Sequence, residues 1–298
     1  MMESHKKGVV RFLIWTFAIA WSLQLAAAWC FHHSAQVIVQ LLLIVVMYAP
    51  FLGTLLSGAP LKEMGWKPKL KGKLKYVLVA WFVPGLLTVA GAVLYFLVFP
   101  EHFDLSGAYL TENMGEGILE QLEAQGLTYP LYILAAVISS FTYAPLLNML
   151  AAVGEEVGWR GVLYPQLKQR FGIGKGCLLG GTIWGIWHWP LIALIGYEYG
   201  TAYWGFPVLG MFAFCIFTIT MGILCDFFYE KTACIWIPAI AHGAVNAAGT
   251  VPIAVCDPDH ADYMLLGPSP NGLLAGLPFV LIAAVILWRR KNGICRDI

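Results

Sequence analysis

Three groups of polar residues interrupt apolar stretches of this sequence. Glu155, Glu156 and Arg160 form the first group, His188 is the second, and His242 is the third. Ionisable side chains are costly to bury in apolar surroundings, and they commonly mark functional sites there. These residues are therefore the first candidates for chemistry.

Helical spacing distinguishes the members of the first group. Glu156 and Arg160 are four residues apart with the acid on the N-terminal side, the favourable order for an ion pair on a helix. Glu155 lies about 100° away from Glu156 around the helix axis and lacks that partner. A buried carboxylate without a partner is suited to act as a general base.

Two further pairs have the same four-residue spacing, Trp184 with His188 and His242 with Asn246. One chemistry open to these groups is hydrolysis of an amide. Glu155 and His188 would activate water, while the other pair would donate hydrogen bonds to the oxyanion. The same groups could instead hold a divalent ion that activates water.

A purely structural interpretation competes with both. A single histidine in a membrane helix is commonly a hydrogen-bonded helix contact, and a Glu–Arg pair four residues apart is commonly structural. Three such features in three separate apolar segments, at matching depth, favour a functional site.

The composition indicates the environment of these segments. Of the 298 residues, 59% are hydrophobic and 12% are charged, whereas soluble domains carry about twice that charged fraction. This excludes an ordinary cytosolic enzyme, a disordered chain and a basic nucleic-acid binder. We expect an integral membrane protein whose partners are the lipid bilayer and membrane-associated molecules, without nucleic acid.

Apolar runs of about 20 residues, the length that crosses a bilayer, occur eight times. They predict an all-α, polytopic protein with about eight transmembrane helices and one membrane-embedded domain over 1–298. The predicted spans are 10–30, 37–57, 76–99, 129–153, 176–196, 206–227, 233–253 and 271–288.

The basic residues orient these spans. With the N-terminus inside, the inner segments contain all 18 Lys and Arg residues, and the outer loops contain none. The outer loops contain ten of the 17 acidic residues. Positively charged loops stay cytoplasmic, so both termini are predicted to be cytoplasmic.

The candidate residues are also predicted to lie at a similar depth in the bilayer. His188 follows Lys175 by 13 residues, and His242 follows Lys231 by 11, which at about 1.5 Å per residue puts both near the bilayer centre. Glu155 reaches the same depth if the fourth helix continues to about residue 167. Such a helix would be too long for one straight span, so we expect a kink at Pro145; Pro165 could instead end it early.

The fifth span carries a second pattern, of small residues. Gly176 and Gly180, then Gly181 and Gly185, repeat with four-residue spacing. This pattern is typical of helices that pack closely against a neighbour, and we interpret it as structural.

Together these motifs resemble a known family. Glu155-Glu156-x-x-x-Arg160, Trp184-x-x-x-His188 and His242-x-x-x-Asn246 are similar to the patterns E-E-x-x-x-R, F-x-x-x-H and H-x-x-x-N. In this order they are typical of the CAAX-protease and bacteriocin-processing (Abi) family of intramembrane proteases, which includes the type II CAAX prenyl endopeptidases. The resemblance covers about residues 130–255, and Trp184 departs from it by replacing phenylalanine.

The resemblance implies an intramembrane endopeptidase whose catalytic core comes from spans four, five and seven. Glu155 and His188 would activate water, His242 and Asn246 would form the oxyanion hole, and Glu156, Arg160 and Trp184 would support them. A glutamic type without an obligatory cofactor is favoured, although Glu155, His188 and His242 would make an acceptable zinc set. We expect a cavity between the three spans, open to the cytoplasm or laterally to lipid, in a bacterial plasma membrane.

Two other functions remain open at this point. A proton-coupled transporter would use the same acidic and histidine residues as a relay, although the sequence has no repeated half. A catalytically silent membrane partner of a signalling or peptide-processing protein would not need the Glu155 carboxylate. The substrate, a membrane-associated peptide or protein, is not identified by the sequence.

Overall fold

The regular secondary structure of this chain is helical. The computed structural model describes residues 2–68 and 70–293, and within these ranges the β-type pairing is an isolated antiparallel bridge between Phe103 and Cys256. Lys69 and Arg296, which belong to the predicted inner segments, lie outside the described residues. The α-helices are α1 (Met2–His32), α2 (Gln36–Val46), α3 (Ala49–Ser57), α4 (Leu74–Val98), α5 (Ala108–Met114), α6 (Ile118–Ala124), α7 (Tyr129–Phe141), α8 (Ala144–Gly158), α9 (Tyr164–Phe171), α10 (Ile173–Trp187), α11 (Trp189–Ile195), α12 (Val208–Thr232), α13 (Trp236–Ala254) and α14 (Leu277–Lys291).

Five stretches of the described chain are long and apolar enough to cross a membrane. A sixth is added if α6 and α7, which meet at 81°, form one broken span. The all-α membrane fold is therefore confirmed, while the count of eight spans stays a prediction. The five stretches are Gly8–His32, Gln36–Ser57, Leu74–Val98, Ile173–Ile195 and Val208–Thr232.

The remaining predicted spans are helical but shorter or more polar. The run at 129–153 is divided between α7 and α8, the run at 233–253 forms α13 with 19 residues, and the last run forms α14 with 15. Because α13 carries His242 and Asn246 in its middle, it is less apolar than a helix of its length exposed to lipid. The polar groups that mark the candidate site thus lower the mean hydropathy of the helix that carries them.

The fourth predicted span is broken at a different residue from the one expected. Thr142, with φ −109° and ψ −93°, separates α7 from α8, and Pro145 lies in the first turn of α8. After α8 a π-helical turn at Trp159–Leu163 leads directly into α9. Such a wide turn relieves the crowding that Pro165 would cause in a regular helix, so the helical path continues to Phe171.

Close helix contacts at glycines position the elements of the site. A Cβ on Gly181 of α10 would lie 2.3 Å from Ile219 Cα of α12, and a Cβ on Gly243 of α13 would lie 2.5 Å from the Pro145 carbonyl oxygen of α8. These contacts hold α10 against α12 and α13 against α8. The predicted packing role of the glycine pattern is thereby confirmed at Gly181.

An ionic network ties the helix ends together at one end of the bundle. Lys168 of α9 donates to Asp226 and Glu230 of α12, with 2.7 Å to each, and Arg290 of α14 reaches the same two acids at 3.1 and 2.7 Å. Asp226 is fully buried, so the network is a fixed part of the core at that end.

The close packing of α10 leads to a stability prediction. We expect Gly181→Ala to lower the stability of the protein by about 1–3 kcal/mol, because the added methyl group meets backbone atoms that have no room to move. Thermal unfolding of the detergent-solubilised protein measures this. Gly174→Ala in the same helix is the matched control, since a Cβ there meets no atom within 4 Å. Equal unfolding midpoints for the two variants would contradict the packing role.

Candidate functional site

A cavity of about 600 Å³ lies where α8, α10, α12 and α13 meet. Its size falls within the range of ligand pockets. Glu155, Trp184, His188, His242 and Asn246, five of the seven predicted site residues, line it together. Residues separated by up to 91 positions in the sequence, Glu155 to Asn246, therefore share one space.

The Glu155 carboxylate is held by two indole rings. Trp184 Nε1 donates to Glu155 Oε2 at 2.7 Å, and Trp159 Nε1 donates to the same oxygen at 3.2 Å. The Oε1 atom accepts no hydrogen bond from the described part of the chain. One carboxylate oxygen is thus fixed, and the other is left for a ligand or for water.

Trp159 was missed in the sequence analysis. It lies four residues after Glu155, the same helical spacing that identified the other pairs, and this spacing was the signal that could have found it. Its indole ring is completely buried, so its N–H needs an acceptor inside the protein.

His188 lies at the junction of α10 and α11, with its ring facing the cavity. Its Nδ1 is 3.1 Å from the Trp184 carbonyl oxygen. A carbonyl only accepts, so Nδ1 must carry the proton and Nε2 of the neutral ring keeps its lone pair. The ring is therefore oriented as a base towards the cavity.

Glu156 forms the centre of a buried ionic cluster behind the cavity. Arg160 Nη1 donates to Glu156 Oε1 at 3.1 Å, which is the ion pair predicted from the spacing. His242 Nδ1 lies 3.0 Å from the same oxygen. Sequence spacing did not reveal this second contact, because it joins residues 86 positions apart on different helices.

Arg160 contacts residues of several elements. Its Nη2 donates to the Gly222 carbonyl oxygen at 3.2 Å, and its guanidinium carbon lies 4.8 Å from the ring centroids of Tyr164 and Trp184. The side chain is fully buried. Arg160 therefore links α8, α10 and α12 beneath the cavity and supports the indole that binds Glu155.

Asn246 completes the set from α13, one turn beyond His242. Its side chain is half-buried and lines the cavity, and its amide has no hydrogen-bond partner within the described chain. The amide N–H groups are therefore free to donate to a ligand.

These residues do not form a metal-binding group. Among the residues that the structure describes, no three His, Cys, Asp or Glu side chains are placed to hold an ion. Nor does any direct hydrogen bond join Glu155 to His188 within that part of the chain. The zinc set of Glu155, His188 and His242 is therefore not among the described groups that could hold an ion.

The cavity extends away from the basic end of the bundle. Besides the site residues it is lined by Gln36 and Gln40 near the start of α2, by Tyr197 and Glu198 after α11, and by Asn271. The predicted topology puts Gln36, Tyr197 and Glu198 in outer loops, and it puts Gln40 and Asn271 near the outer ends of their spans. The sequence analysis, in contrast, expected an opening to the cytoplasm or laterally to lipid. The membrane side on which the cavity opens stays a prediction, because it depends on the predicted topology.

The fold and this cavity define a polytopic membrane protein with a buried acid–base site. A family profile described as Rce1-like, type II CAAX prenyl endopeptidase, matches residues 136–248. A curated relative from Methanococcus maripaludis, CAAX prenyl protease 2, is 23% identical over 293 residues, which cover 98% of this chain and 97% of the relative. Both matches agree with the resemblance to the CAAX-protease and bacteriocin-processing family that the motifs predict.

The buried cluster around Glu156 leads to a second prediction. Replacing Arg160 by methionine leaves the Glu156 carboxylate buried without its cation, so we expect a loss of about 3–5 kcal/mol in the free energy of unfolding. Thermal unfolding in detergent measures the effect. Glu230→Gln is the control, because Glu230 is 37% exposed and should cost at most about 1 kcal/mol. A smaller loss for Arg160→Met than for the control would show that the pair does not support the fold.

Proposed function

We propose that this protein is an intramembrane endopeptidase in which Glu155 activates a water molecule to hydrolyse a peptide bond. The single observation that carries the proposal is that a carboxylate oxygen, an imidazole lone pair and a free amide face one cavity in the membrane-embedded bundle. The similarity to a CAAX prenyl endopeptidase profile and to a CAAX prenyl protease supports it. The substrate is a membrane-associated peptide or protein, and cleavage near a CAAX-type C-terminus is carried over from the name of the relative.

The first step is activation of water between two acceptors. Glu155 Oε1 takes a proton from the water, while Oε2 remains bound to the two indole N–H groups. His188 Nε2 accepts a hydrogen bond from the second hydrogen of the same water. This contact orients a lone pair of the water oxygen towards the substrate carbonyl carbon. Glu155 then gives its proton to the leaving amine, so the carboxylate is restored at the end of the cycle.

The oxyanion that forms on the substrate carbonyl needs donors on α13. The Asn246 amide donates directly. His242 uses Nδ1–H to bind Glu156, so Nε2 can donate only when the ring carries both protons. Glu156 accepts from Nδ1, and its role is therefore to orient the ring of His242 on α13.

Every step of this mechanism uses the protein's own side chains, and the described residues form no three-ligand set for an ion. Zinc dependence is instead an outcome of the experiment below. A carboxylate that accepts two indole N–H bonds through one oxygen supports the glutamic type, since these donors stabilise a charge that no cation neutralises directly.

We also propose eight membrane crossings with both termini in the cytoplasm. The segments that join into crossings are α2 with α3, α7 with α8, and α10 with α11. The distribution of all 18 basic residues supports this arrangement, and so does the ionic network at one end of the bundle.

The proposed base gives the third prediction. We expect Glu155→Gln to reduce cleavage of membrane-tethered peptides by at least about 10³-fold, since glutamine cannot accept the proton of the water. The assay uses purified protein in nanodiscs with prenylated and unmodified peptides, with and without a chelator.

Glu112→Gln, in the loop segment α5, is the matched control and should leave the rate unchanged. Activity that a chelator removes and zinc restores would replace the glutamic mechanism by a metal-dependent one. Full activity of Glu155→Gln would overturn the assignment of the base. Folded protein that cleaves no peptide would leave the silent partner and the transporter as the remaining functions.

The departure of Trp184 from the family pattern gives the fourth prediction. Phenylalanine would keep the ring and lose the N–H that binds Glu155, so Trp184→Phe should lower kcat by about 10- to 100-fold. The KM should change little, because the indole N–H binds the enzyme carboxylate and not the substrate. Trp81→Phe is the control, since its indole donates to the Phe141 carbonyl on the other side of the bundle. An unchanged kcat would show that the second indole, Trp159, is sufficient.

A further inference from the structure

The two ends of the helical bundle differ in charge. At one end Lys73 donates to the Thr232 carbonyl, and Lys168 and Arg290 bind Asp226. The opposite end is formed by the bridge between Phe103 and Cys256 and by the loops after α11 and α13. No lysine or arginine occurs in the loops of that end, so the positive-inside rule assigns it to the extracytoplasmic side.

Below the candidate site the bundle is closed by packed side chains. Trp159, Leu163 and Tyr164 follow Glu155 along the chain towards the basic end, and each is 0% exposed. Phe228 of α12 and Ile237 of α13 belong to the same apolar cluster and are at most 2% exposed. Packing of this kind leaves no path for water or peptide from the basic end.

Above the site the cavity reaches the other end of the bundle, where its wall includes polar as well as apolar side chains. Gln36 and Gln40 of α2 line the cavity and are exposed. Across from them, Asn271 Nδ2 donates to Glu198 Oε2 at 3.1 Å, and the Asn271 carbonyl accepts from Tyr199. The mouth therefore presents amides and one carboxylate, which recognise the backbone and cationic groups of a peptide.

From the closed basic end and the polar opposite mouth, we infer that the active site opens to the extracytoplasmic side and takes peptide segments presented there, with a basic rather than an acidic flank. This inference rests on the proposed function for its substrate. The direction of the opening, in contrast, is a property of the fold and can be tested without activity.

The first experiment measures the opening by cysteine labelling. Gln40→Cys lies on the cavity wall, and Lys62→Cys in the loop before α4 is the control at the basic end. In a background with Cys295→Ser, the six native cysteines that the structure describes are all buried. An impermeant maleimide added to intact cells should label Gln40→Cys at least about tenfold more than Lys62→Cys, and permeabilised cells should label both. The reverse order in intact cells overturns the inference.

The second experiment measures the side from which substrate enters. Wild-type protein is prepared in right-side-out and inside-out vesicles and given an impermeant peptide that the purified protein cleaves. Right-side-out vesicles should cleave it at least about tenfold faster. Equal or faster cleavage by inside-out vesicles overturns the inference while leaving the protease function intact. If purified protein cleaves no peptide, the proposed function fails and the labelling experiment still decides the opening.

The charge preference is tested with paired peptides that carry lysines or glutamates on the flank outside the membrane. Burial raises the pKa of Glu198, so the assay is repeated over a series of increasing pH, and the preference should grow as this carboxyl group ionises. The lysine peptide should be cleaved about fivefold faster, a factor typical of one charge contact near water. Glu198→Gln should remove this preference through KM, with kcat unchanged. A preference that survives in Glu198→Gln, or that favours glutamates, overturns the preference for a basic flank that we assign to the mouth of the cavity.

Discussion

The structure depends on the burial of one carboxylate, that of Glu156, between a guanidinium and an imidazole. A charge so far from water is tolerated only with good partners, and Glu156 Oε1 has both Arg160 and His242 within 3.1 Å. Because Glu156 lies on α8, Arg160 in the π turn after it and His242 on α13, the ion cluster fixes α8 relative to α13. It also fixes the ring of His242, so the same interaction supports the fold and orients a group of the candidate site.

Polar groups in a membrane bundle require departures from straight, apolar helices, and these departures occur at the site. The chain breaks at Thr142 before α8, widens into a π turn at Trp159–Leu163, and bends at His188 between α10 and α11. The π turn carries Trp159, whose indole binds Glu155, and the bend carries His188, whose ring lines the cavity. The Trp184 carbonyl accepts from His188 at the end of α10, where backbone acceptors lack a helical partner.

Sequence patterns predicted the helical segments and the local pairs, because both depend on short-range periodicity. The ion pair of Glu156 with Arg160 follows directly from a spacing of four residues, and the eight apolar runs all correspond to helical segments of the structure. The contact of His242 with Glu156 and the direction of the cavity were not predictable in this way. Both depend on which faces of distant helices meet, and hydropathy alone does not determine this.

A protease inside a membrane must admit water to one place and exclude it from the rest of the bilayer. Here the exclusion comes from large aromatic side chains, since Trp159 and Tyr164 fill the space between the ion cluster and the basic end. These rings also serve the polar groups: Trp159 donates to Glu155, and the ring of Tyr164 faces the guanidinium of Arg160. One layer of side chains therefore seals the bundle and organises the carboxylates. For this reason the closed end and the reactive end of the cavity are fixed together, and opening the site towards the basic side would require dismantling the cluster that supports it.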